Sequence, residues 1–257
     1  MAAVAVLAGA DPGTTAHLGV AMLALQASIG ALNDVIDAPH DAGRKPGKPI
    51  PAGLVSRRTA LAVVVGAAFL GIALAWPSGP MTVALALAVL GVGYAYDLAF
   101  KGTAWSWLPF AFGIPLLPVF GWLGTAGQLP ASFAVLLPAA VLAGAGLAVA
   151  NARADAERDA AAGVASVALR LGTRGSWAVN AALLVVVVAS ALGTVLRGGS
   201  VAPLVGAGLL GAAAVTGIGV GLGFGGDSAR RERAWELQAI GVSLLAAAWL
   251  AAAPVGG

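Results

Sequence analysis

The chain has 257 residues, of which 60% are hydrophobic and only 10% are charged, and its mean hydropathy is +0.93. A soluble domain carries about 25% charged residues, and no soluble fold hides so much apolar surface, so the composition excludes a soluble protein and predicts an integral membrane protein. The absence of cysteine and the presence of only two histidines exclude disulfides, thiolate metal sites and metal or haem sites built from several histidines.

Eight segments contain the roughly 20 apolar residues that a helix needs to cross a bilayer. They lie near residues 15–38, 59–76, 80–96, 104–123, 131–151, 176–196, 201–223 and 235–253. The first ten residues are apolar but too few to span, so we expect a truncated ninth helix or a short re-entrant piece. A cleaved signal peptide is disfavoured because no basic residue precedes this apolar run. The sequence predicts an all-α, polytopic transmembrane helix bundle in which residues 1–257 form a single integral-membrane domain.

The basic residues predict the orientation of these spans. Of the 14 Lys and Arg residues, 13 fall in alternate connections, and the opposite connections contain only Arg197. By the positive-inside rule the basic connections are cytoplasmic. The net charge of +3 therefore follows from topology, and we expect no nucleic-acid partner. Ten of the eleven acidic residues lie on the same predicted face, and topology does not explain this because Asp and Glu contribute little to orientation.

Two short acidic clusters each follow a long apolar segment on this face. In each cluster an asparagine and two aspartates are spaced by four residues, so on a helix their side chains stack along one face. We call these clusters the first ladder (Asn33, Asp37 and Asp41) and the second ladder (Asn151, Asp155 and Asp159). The matching spacing indicates an internal repeat or two halves that face one cavity.

The chemistry of the ladders favours a divalent metal. Stacked carboxylates repel one another, so cations should accompany them. Mg²⁺ prefers oxygen ligands, keeps several waters and shares its coordination shell with substrate phosphates. Cations that can bind phosphate lie nearby, with Arg44, Lys45 and Lys48 after the first ladder and Arg158 within the second. Two ladders on one face therefore predict a metal-diphosphate site rather than two solvated helix ends with ordinary salt bridges.

The motifs around the ladders resemble those of one family. NDVIDAPHD (33–41) resembles the first motif, NDxxDxxxD, of the UbiA superfamily of intramembrane prenyltransferases, and RKPGKPIPAG (44–53) is similar to its basic continuation. DAERDAAAGVASVALRLG (155–172) resembles the second motif, DxxxDxxxG, with its Arg-Leu-Gly ending. YDLAFK (96–101) is similar to the Tyr-to-Lys motif between them, although its spacing is five residues where many members have four. The order of the motifs extends the resemblance over nearly the whole chain.

The resemblance implies a bundle of nine transmembrane helices around a central cavity, with two Mg²⁺ ions binding the diphosphate of a polyprenyl donor. By motif position, the metal ligands would be Asn33, Asp37, Asp41, Asp155 and Asp159, with Asp37 and Asp155 the residues most directly catalytic. The residues that contact the diphosphate would be Lys45, Lys48, Tyr96, Lys101 and Asn151.

The implied reaction is transfer of a polyprenyl group to a lipophilic acceptor within the membrane. We expect an aromatic acceptor of the quinone-precursor kind, and an integral protein in contact with the lipids of a bacterial cell membrane, with both ladders on the cytoplasmic side. Ionisation of the allylic C–O bond requires charge stabilisation at the departing diphosphate and exclusion of water. Four aromatic residues could offer π-faces to the resulting cation or belong to the membrane interface. They are Trp105, Trp107, Phe110 and Phe112.

Two alternative functions remain open. One is a terpene cyclase of the same family, which folds the prenyl diphosphate onto itself and needs no acceptor. The other is an ion-coupled secondary transporter, which would place its acids near the bilayer midplane. The acids here lie at helix ends on one face, which argues against the transporter.

Two further charged groups are not among the predicted metal ligands and diphosphate contacts. Asp97 lies within the Tyr-to-Lys motif and either orients Lys101 or is a loop acid. The run RRERAWE (230–236) has mixed charge and is interpreted as a cytoplasmic anchor rather than a site.

Reporter fusions test the predicted topology. The cytoplasmic connections should be residues 39–58, 97–103, 152–175 and 224–234, because the basic residues fall there. Fusions at Gly79, Gly127 and Gly199 should therefore report an external position. A cytoplasmic signal at any of the three would overturn the orientation.

Overall fold

The computed structural model describes residues 1–42, 47–198 and 202–252, and over these ranges the chain is helical, with no strand. Three residues named above lie outside the described ranges. They are Lys45, a predicted diphosphate contact, its neighbour Arg44, and the reporter position Gly199.

Within the described ranges, eight helices are long and apolar enough to cross a membrane. This number confirms the predicted spans. In chain order the helices are α1 (Ala2–Leu7), α2 (Pro12–Asp41), α3 (Arg57–Ala75), α4 (Pro80–Ala95), α5 (Trp107–Ala126), α6 (Phe133–Ala154), α7 (Ala156–Ala161), α8 (Val167–Arg197), α9 (Pro203–Leu222) and α10 (Ser228–Ala252). A 3-10 turn at Trp76–Ser78 follows α3, and a π-helical turn at Tyr96–Phe100 follows α4. Helices α1 and α7 are too short to span.

The N-terminal apolar segment folds as the short helix α1, followed by a capped start to α2. The Asp11 carboxylate accepts hydrogen bonds from the backbone N–H groups of Gly13 (2.8 Å) and Thr14 (3.1 Å), and Pro12 occupies the first helical position, where its missing N–H costs nothing. A hydrogen bond from the Thr14 hydroxyl, with those from the backbone, lowers the pKa of Asp11. An aspartate between two apolar runs thus starts the first long helix.

The chain divides into two compact units. The first contains residues 1–99 and 116–128, and the second contains residues 100–115 and 129 onwards. The first half of α5 accordingly belongs to the second unit and its second half to the first. That residues 1–257 act as a single domain stays a prediction.

The first unit is held by apolar packing with one buried polar connection. Its core gathers Leu18, Leu25 and Phe120, all fully buried. The Ser28 hydroxyl donates to the backbone carbonyl of Val64 (2.6 Å) and accepts from the Tyr94 hydroxyl (2.6 Å). Because lipid gives no hydrophobic drive for helix association, hydrogen bonds of this kind help to fix α2 against α3 and α4.

The second unit is built around α6, α8 and α10 and has its own polar connection. Asn180 donates from its amide to the carbonyl of Gly146 (2.9 Å) and to Oε1 of Gln238 (2.9 Å), with both side chains 1% exposed. Helices α9 and α10 approach closely at Gly241, where a Cβ atom would lie 2.3 Å from the Thr216 hydroxyl. Only glycine fits at this contact, as expected for membrane helices that associate through small residues.

Candidate active site

The first ladder lies on the last turns of α2, as predicted. Asn33, Asp37 and Asp41 are all within this helix, and Asp41 is its last residue. Their accessibility falls toward the end of the helix, because Asn33 and Asp37 are half-buried whereas Asp41 is 6% exposed. The ladder therefore combines carboxylates with low water access, a setting that strengthens their interaction with cations.

The asparagine of this ladder is held by a residue to which the sequence assigned no firm role. Asn33 donates from its amide nitrogen to Oδ1 of Asp97 at 2.7 Å, and Asp97 is 5% exposed. With the amide nitrogen engaged, the Asn33 carbonyl oxygen is the atom that can serve as a cation ligand. Asp97 is thus a support of the first ladder rather than a loop acid. An acidic residue within the otherwise apolar part of the Tyr-to-Lys motif was the available sequence signal.

A π-helical turn lies within the Tyr-to-Lys motif. The turn covers Tyr96–Phe100 and is followed directly by Lys101. A π turn closes i→i+5 hydrogen bonds in place of i→i+4, so it accommodates one extra residue, and such turns occur frequently at functional sites. The five-residue spacing between Tyr96 and Lys101 therefore spans a π turn.

Lys48 is close to the first ladder. It donates to and pairs with Asp34, the neighbour of Asn33 in α2. The hydrogen bond to Asp34 raises the pKa of Lys48, burial opposes this, and the nearby carboxylates of Asp41 and Asp37 add to the increase. Lys48 is therefore a fully charged ammonium beside the ladder. Of the two lysines predicted in this loop, the described one lies beside the first ladder, and its contact with a diphosphate stays a prediction.

The second ladder differs from the prediction in one respect. Asn151 is on α6, but the helix ends at Ala154, and Asp155 is the junction at which the short helix α7 begins. The expectation of a ladder on one unbroken helix is wrong at this point, because Asp155 (φ −93°, ψ −2°) leaves ideal helical geometry. The i→i+4 hydrogen bond from Asp159 N to Asp155 O (2.9 Å) is nevertheless kept. The two aspartates thus retain the spacing of adjacent helical turns.

The glycine of the second motif ends α7. Gly163 has φ +66°, its N–H donates to the carbonyl of Ala160 (3.2 Å), and the next N–H, of Val164, donates to the carbonyl of Asp159 (2.9 Å). This pair of bonds is the Schellman motif, in which a left-handed residue, usually glycine, satisfies the last carbonyls of a helix. The motif glycine therefore fixes the backbone at the carboxyl end of the ladder.

Charges around the second ladder are compensated locally. Asp155 pairs with Arg158 one turn later. Burial raises the pKa of Asp159, an effect that the Ser166 hydroxyl opposes. Burial also acts to raise the pKa of Glu157, but hydrogen bonds from Arg231 and the backbone outweigh it, so that the pKa of Glu157 is lowered. Three acids within five residues thus occupy three different environments.

The ligand chemistry of the ladders fits Mg²⁺. Each ladder offers two carboxylates and one amide, and no group of three His, Asp or Glu side chains able to hold a metal ion occurs among residues 1–42, 47–198 and 202–252. Mg²⁺ usually binds through one or two carboxylates together with waters and substrate phosphates, rather than in an all-protein cage. Ladders of two carboxylates that need a phosphate ligand to complete the shell match this preference.

The predicted site residues fall into two groups. In the first unit the structure brings Lys48 to the first ladder, and Tyr96 lies next to Asp97, the partner of Asn33. The second unit contains the second ladder and Lys101. The pairing of Arg231 with Glu157 was not predicted, because the sequence run around Arg231 was interpreted as a cytoplasmic anchor.

The aromatic residues are distributed unevenly. Trp105 and Phe112 are 59% and 58% exposed, as for side chains that face lipid or the interface. Trp107 packs against the buried cluster of Val149, Ala152, Val167 and Ala168 in the second unit. Two of the four therefore contact the surroundings of the protein, and one supports the packing next to the second ladder.

Curated proteins resemble this chain in sequence. Digeranylgeranylglyceryl phosphate synthase of Korarchaeum cryptofilum is 31% identical over 148 residues, which is 56% of this chain and 51% of the relative. Coumarin 8-geranyltransferase 1 of Citrus limon is 35% identical over 96 residues, which is 36% of this chain and 23% of the plant protein. The chain thus spans about half the length of the archaeal relative that it matches.

Solved structures share the fold. The apo structure of a UbiA homolog from Aeropyrum pernix K1 superposes with a TM-score of 0.79 at 19% identity, covering 96% of this chain and 93% of that one. A UbiA homolog from Archaeoglobus fulgidus bound to DMAPP and Mg²⁺ gives a TM-score of 0.72 at 16% identity, with 95% and 93% covered. Likeness at this identity establishes the fold. The sequence itself matches the UbiA prenyltransferase family over residues 1–240, and the chain belongs to that family.

Proposed function

We propose that the chain is an Mg²⁺-dependent prenyltransferase, which moves a polyprenyl group from a prenyl diphosphate to a lipophilic acceptor within the membrane. The observation that carries this proposal is the first ladder with its partners. Asn33 is oriented by Asp97, and the Lys48 ammonium lies beside the carboxylates. A row of oxygen ligands with an adjacent cation is what a metal-bound diphosphate requires.

Each group of residues has a proposed role. Asn33, Asp37, Asp41, Asp155 and Asp159 would hold two Mg²⁺ ions, which when bound neutralise the charge of the departing diphosphate. The residues that orient the diphosphate would be Lys45, Lys48, Tyr96, Lys101 and Asn151. Lysines placed at the leaving group stabilise the charge that develops as the allylic C–O bond breaks. The apolar helices then exclude water until an acceptor atom attacks the carbocation and the acceptor loses a proton to give the prenylated product.

The acceptor is proposed in two forms. An aromatic, quinone-precursor-like acceptor is the sequence prediction, and the resemblance to a coumarin geranyltransferase supports an aromatic ring. The resemblance to digeranylgeranylglyceryl phosphate synthases favours a phosphorylated glycerolipid as the second candidate. The proposed location remains a bacterial cell membrane, which the protein spans in contact with its lipids, with both ladders and the basic loops on the cytoplasmic side.

An acceptor comparison tests the proposal. Purified protein is incubated with geranyl and geranylgeranyl diphosphate, with Mg²⁺ or EDTA, and with an aromatic acceptor, a glycerolipid phosphate or no acceptor. We expect a prenylated acceptor in one acceptor arm, and loss of product with EDTA. Cyclised hydrocarbon in the acceptor-free arm would instead establish a terpene cyclase, and prenyl transfer undiminished by EDTA would exclude the metal role.

Substitution of the aspartates tests the metal site. Asp37→Asn or Asp155→Asn should lower turnover by on the order of 100-fold or more, since an isosteric amide removes charge from the site while disturbing packing little. The double variant should cost little beyond either single one, because groups that act as a unit are not additive. Asp227→Asn, at an exposed residue that caps the start of α10, is the control and should keep wild-type turnover. If the losses of turnover in the two single variants instead add up in the double variant, the two ladders do not act as one unit.

Neutralising the loop lysines tests donor recognition. Lys48→Gln should raise KM for the prenyl diphosphate by about tenfold, the equivalent of one charge-assisted hydrogen bond, and leave KM for the acceptor unchanged if that acceptor is uncharged. Lys45→Gln should act in the same direction. Arg58→Gln, at an exposed residue of α3, is the matched control. An equal rise in both KM values would indicate a folding defect instead.

A further inference from the structure

Two arginine side chains are buried in the second unit. Arg153 is 5% exposed and Arg231 is 9% exposed. A buried guanidinium is strongly destabilising unless acceptors surround it. Both side chains are supplied with acceptors, and their partners lie around the second ladder.

Arg231 connects three segments. Its Nε donates to the carbonyl of Arg153 at 2.8 Å, near the end of α6, and its Nη1 donates to the carbonyl of Gly226, just before α10. Its Nη2 donates to both carboxylate oxygens of Glu157, on α7. One side chain from α10 thus holds the end of α6 and the short helix that follows it.

Arg153 continues this arrangement on the other side. Its Nη1 donates to the Ser176 hydroxyl (2.6 Å) and to the Thr173 carbonyl, and its Nη2 donates to the Gly223 carbonyl at 2.6 Å. Thr173 follows Gly172, where α8 is broken by a residue with φ 69° and ψ 170°. Arg153 therefore satisfies carbonyls at the break in α8 and at the end of α9.

Helix α7 needs such support. It has six residues, and an isolated helix of this length is unstable because nucleation is costly. Glu157 is two residues from both Asp155 and Asp159, about 200° around a helix of 3.6 residues per turn. Arg231 therefore contacts the side of α7 away from the two aspartates. It does not compete with a cation for their carboxylates.

We propose that Arg231 is a positioning residue for the second ladder, acting through Glu157 and the Arg153 carbonyl to hold Asp155 and Asp159 ready for Mg²⁺ and diphosphate. The functional part of this inference rests on the proposed function. The residues of the run RRERAWE, interpreted from sequence as a cytoplasmic anchor, therefore have different roles. Arg231 is buried and acts on the site, whereas Arg230 and Arg233 are exposed.

The geometry requires arginine rather than any cation. Acceptors lie around Nε, Nη1 and Nη2 in different directions, and only the planar guanidinium has donors fixed in that arrangement. Lysine keeps the charge but offers a single flexible ammonium. Arg231→Lys should therefore fail to replace it, which distinguishes positioning from a simple charge effect.

The first measurement is independent of catalysis. Hydrogen exchange of peptides covering residues 155–164 is followed in the full-length protein without metal, for Arg231→Lys, Glu157→Gln and the control Arg233→Gln. We expect faster exchange in this segment for the first two variants only, because local opening reports the stability of α7. Glu157→Gln is nearly isosteric at an exposed side chain, so it keeps the test valid if Arg231 variants fold poorly. Unchanged exchange in Glu157→Gln would overturn the proposal.

The second measurement tests whether the position of the second ladder affects metal binding. Mn²⁺ binding with inorganic pyrophosphate is measured by electron paramagnetic resonance, and the half-saturating Mg²⁺ concentration by prenyl transfer. Both should weaken by about 10-fold or more in Arg231→Lys and Glu157→Gln, the usual effect of losing a residue that supports metal ligands, and stay unchanged in Arg233→Gln. Faster exchange with unaltered Mn²⁺ binding would make Arg231 merely structural and overturn the proposal. If the wild type transfers no prenyl group, the proposed function fails, and exchange and Mn²⁺ binding still decide the role of Arg231.

Discussion

Carboxylates at the end of an apolar helix repel one another where little water screens them, and the polar architecture of this protein follows from that constraint. A carboxylate in or beside each ladder forms an ion pair with a nearby basic side chain. Lys48 pairs with Asp34 beside the first ladder, and Arg158 pairs with Asp155 in the second. Because the side chains of both ion pairs are only partly buried, these pairs add little to the free energy of unfolding. They place one cationic side chain beside each ladder.

Backbone geometry places these charges as much as side-chain pairing does. The π turn after α4 puts Asp97 where it can accept from Asn33. The Schellman motif at Gly163 ends α7 within one turn of Asp159, whose carbonyl accepts from the Val164 N–H. Irregular backbone near a membrane is tolerated only where its polar groups find partners inside the protein. The π turn at Tyr96–Phe100 and the Schellman motif at Gly163 both lie within the family motifs.

The two ladders are built differently, although their sequences match. The first is part of a 30-residue helix and needs only a bond from Asn33 to Asp97 to orient its amide. The second crosses a helix junction at Asp155 and depends on side chains from elsewhere in its unit. Buried guanidinium groups suit that task, since one arginine can bind several carbonyls and a carboxylate at once.

Local patterns predicted a large part of this arrangement. Hydropathy gave the eight spans, and i,i+4 spacing placed the first ladder on one helix face, because both depend on residues near in sequence. The junction at Asp155 was not predictable, since its spacing is equally compatible with a continuous helix. The roles of Asp97 and Arg231 depend on partners 64 and 74 residues away, and a single sequence contains no signal for such pairing.

The central proposal is that both ladders bind the metals of one diphosphate, and an experimental structure with Mn²⁺ and a non-hydrolysable prenyl thiolodiphosphate tests it most directly. The account predicts anomalous peaks at metal-ligand distance, about 2.0–2.2 Å, from oxygens of Asp37 and Asp155, with the diphosphate bridging the ions and the Lys48 ammonium against it. Metal at only one ladder, or a diphosphate bound away from both, would contradict the account.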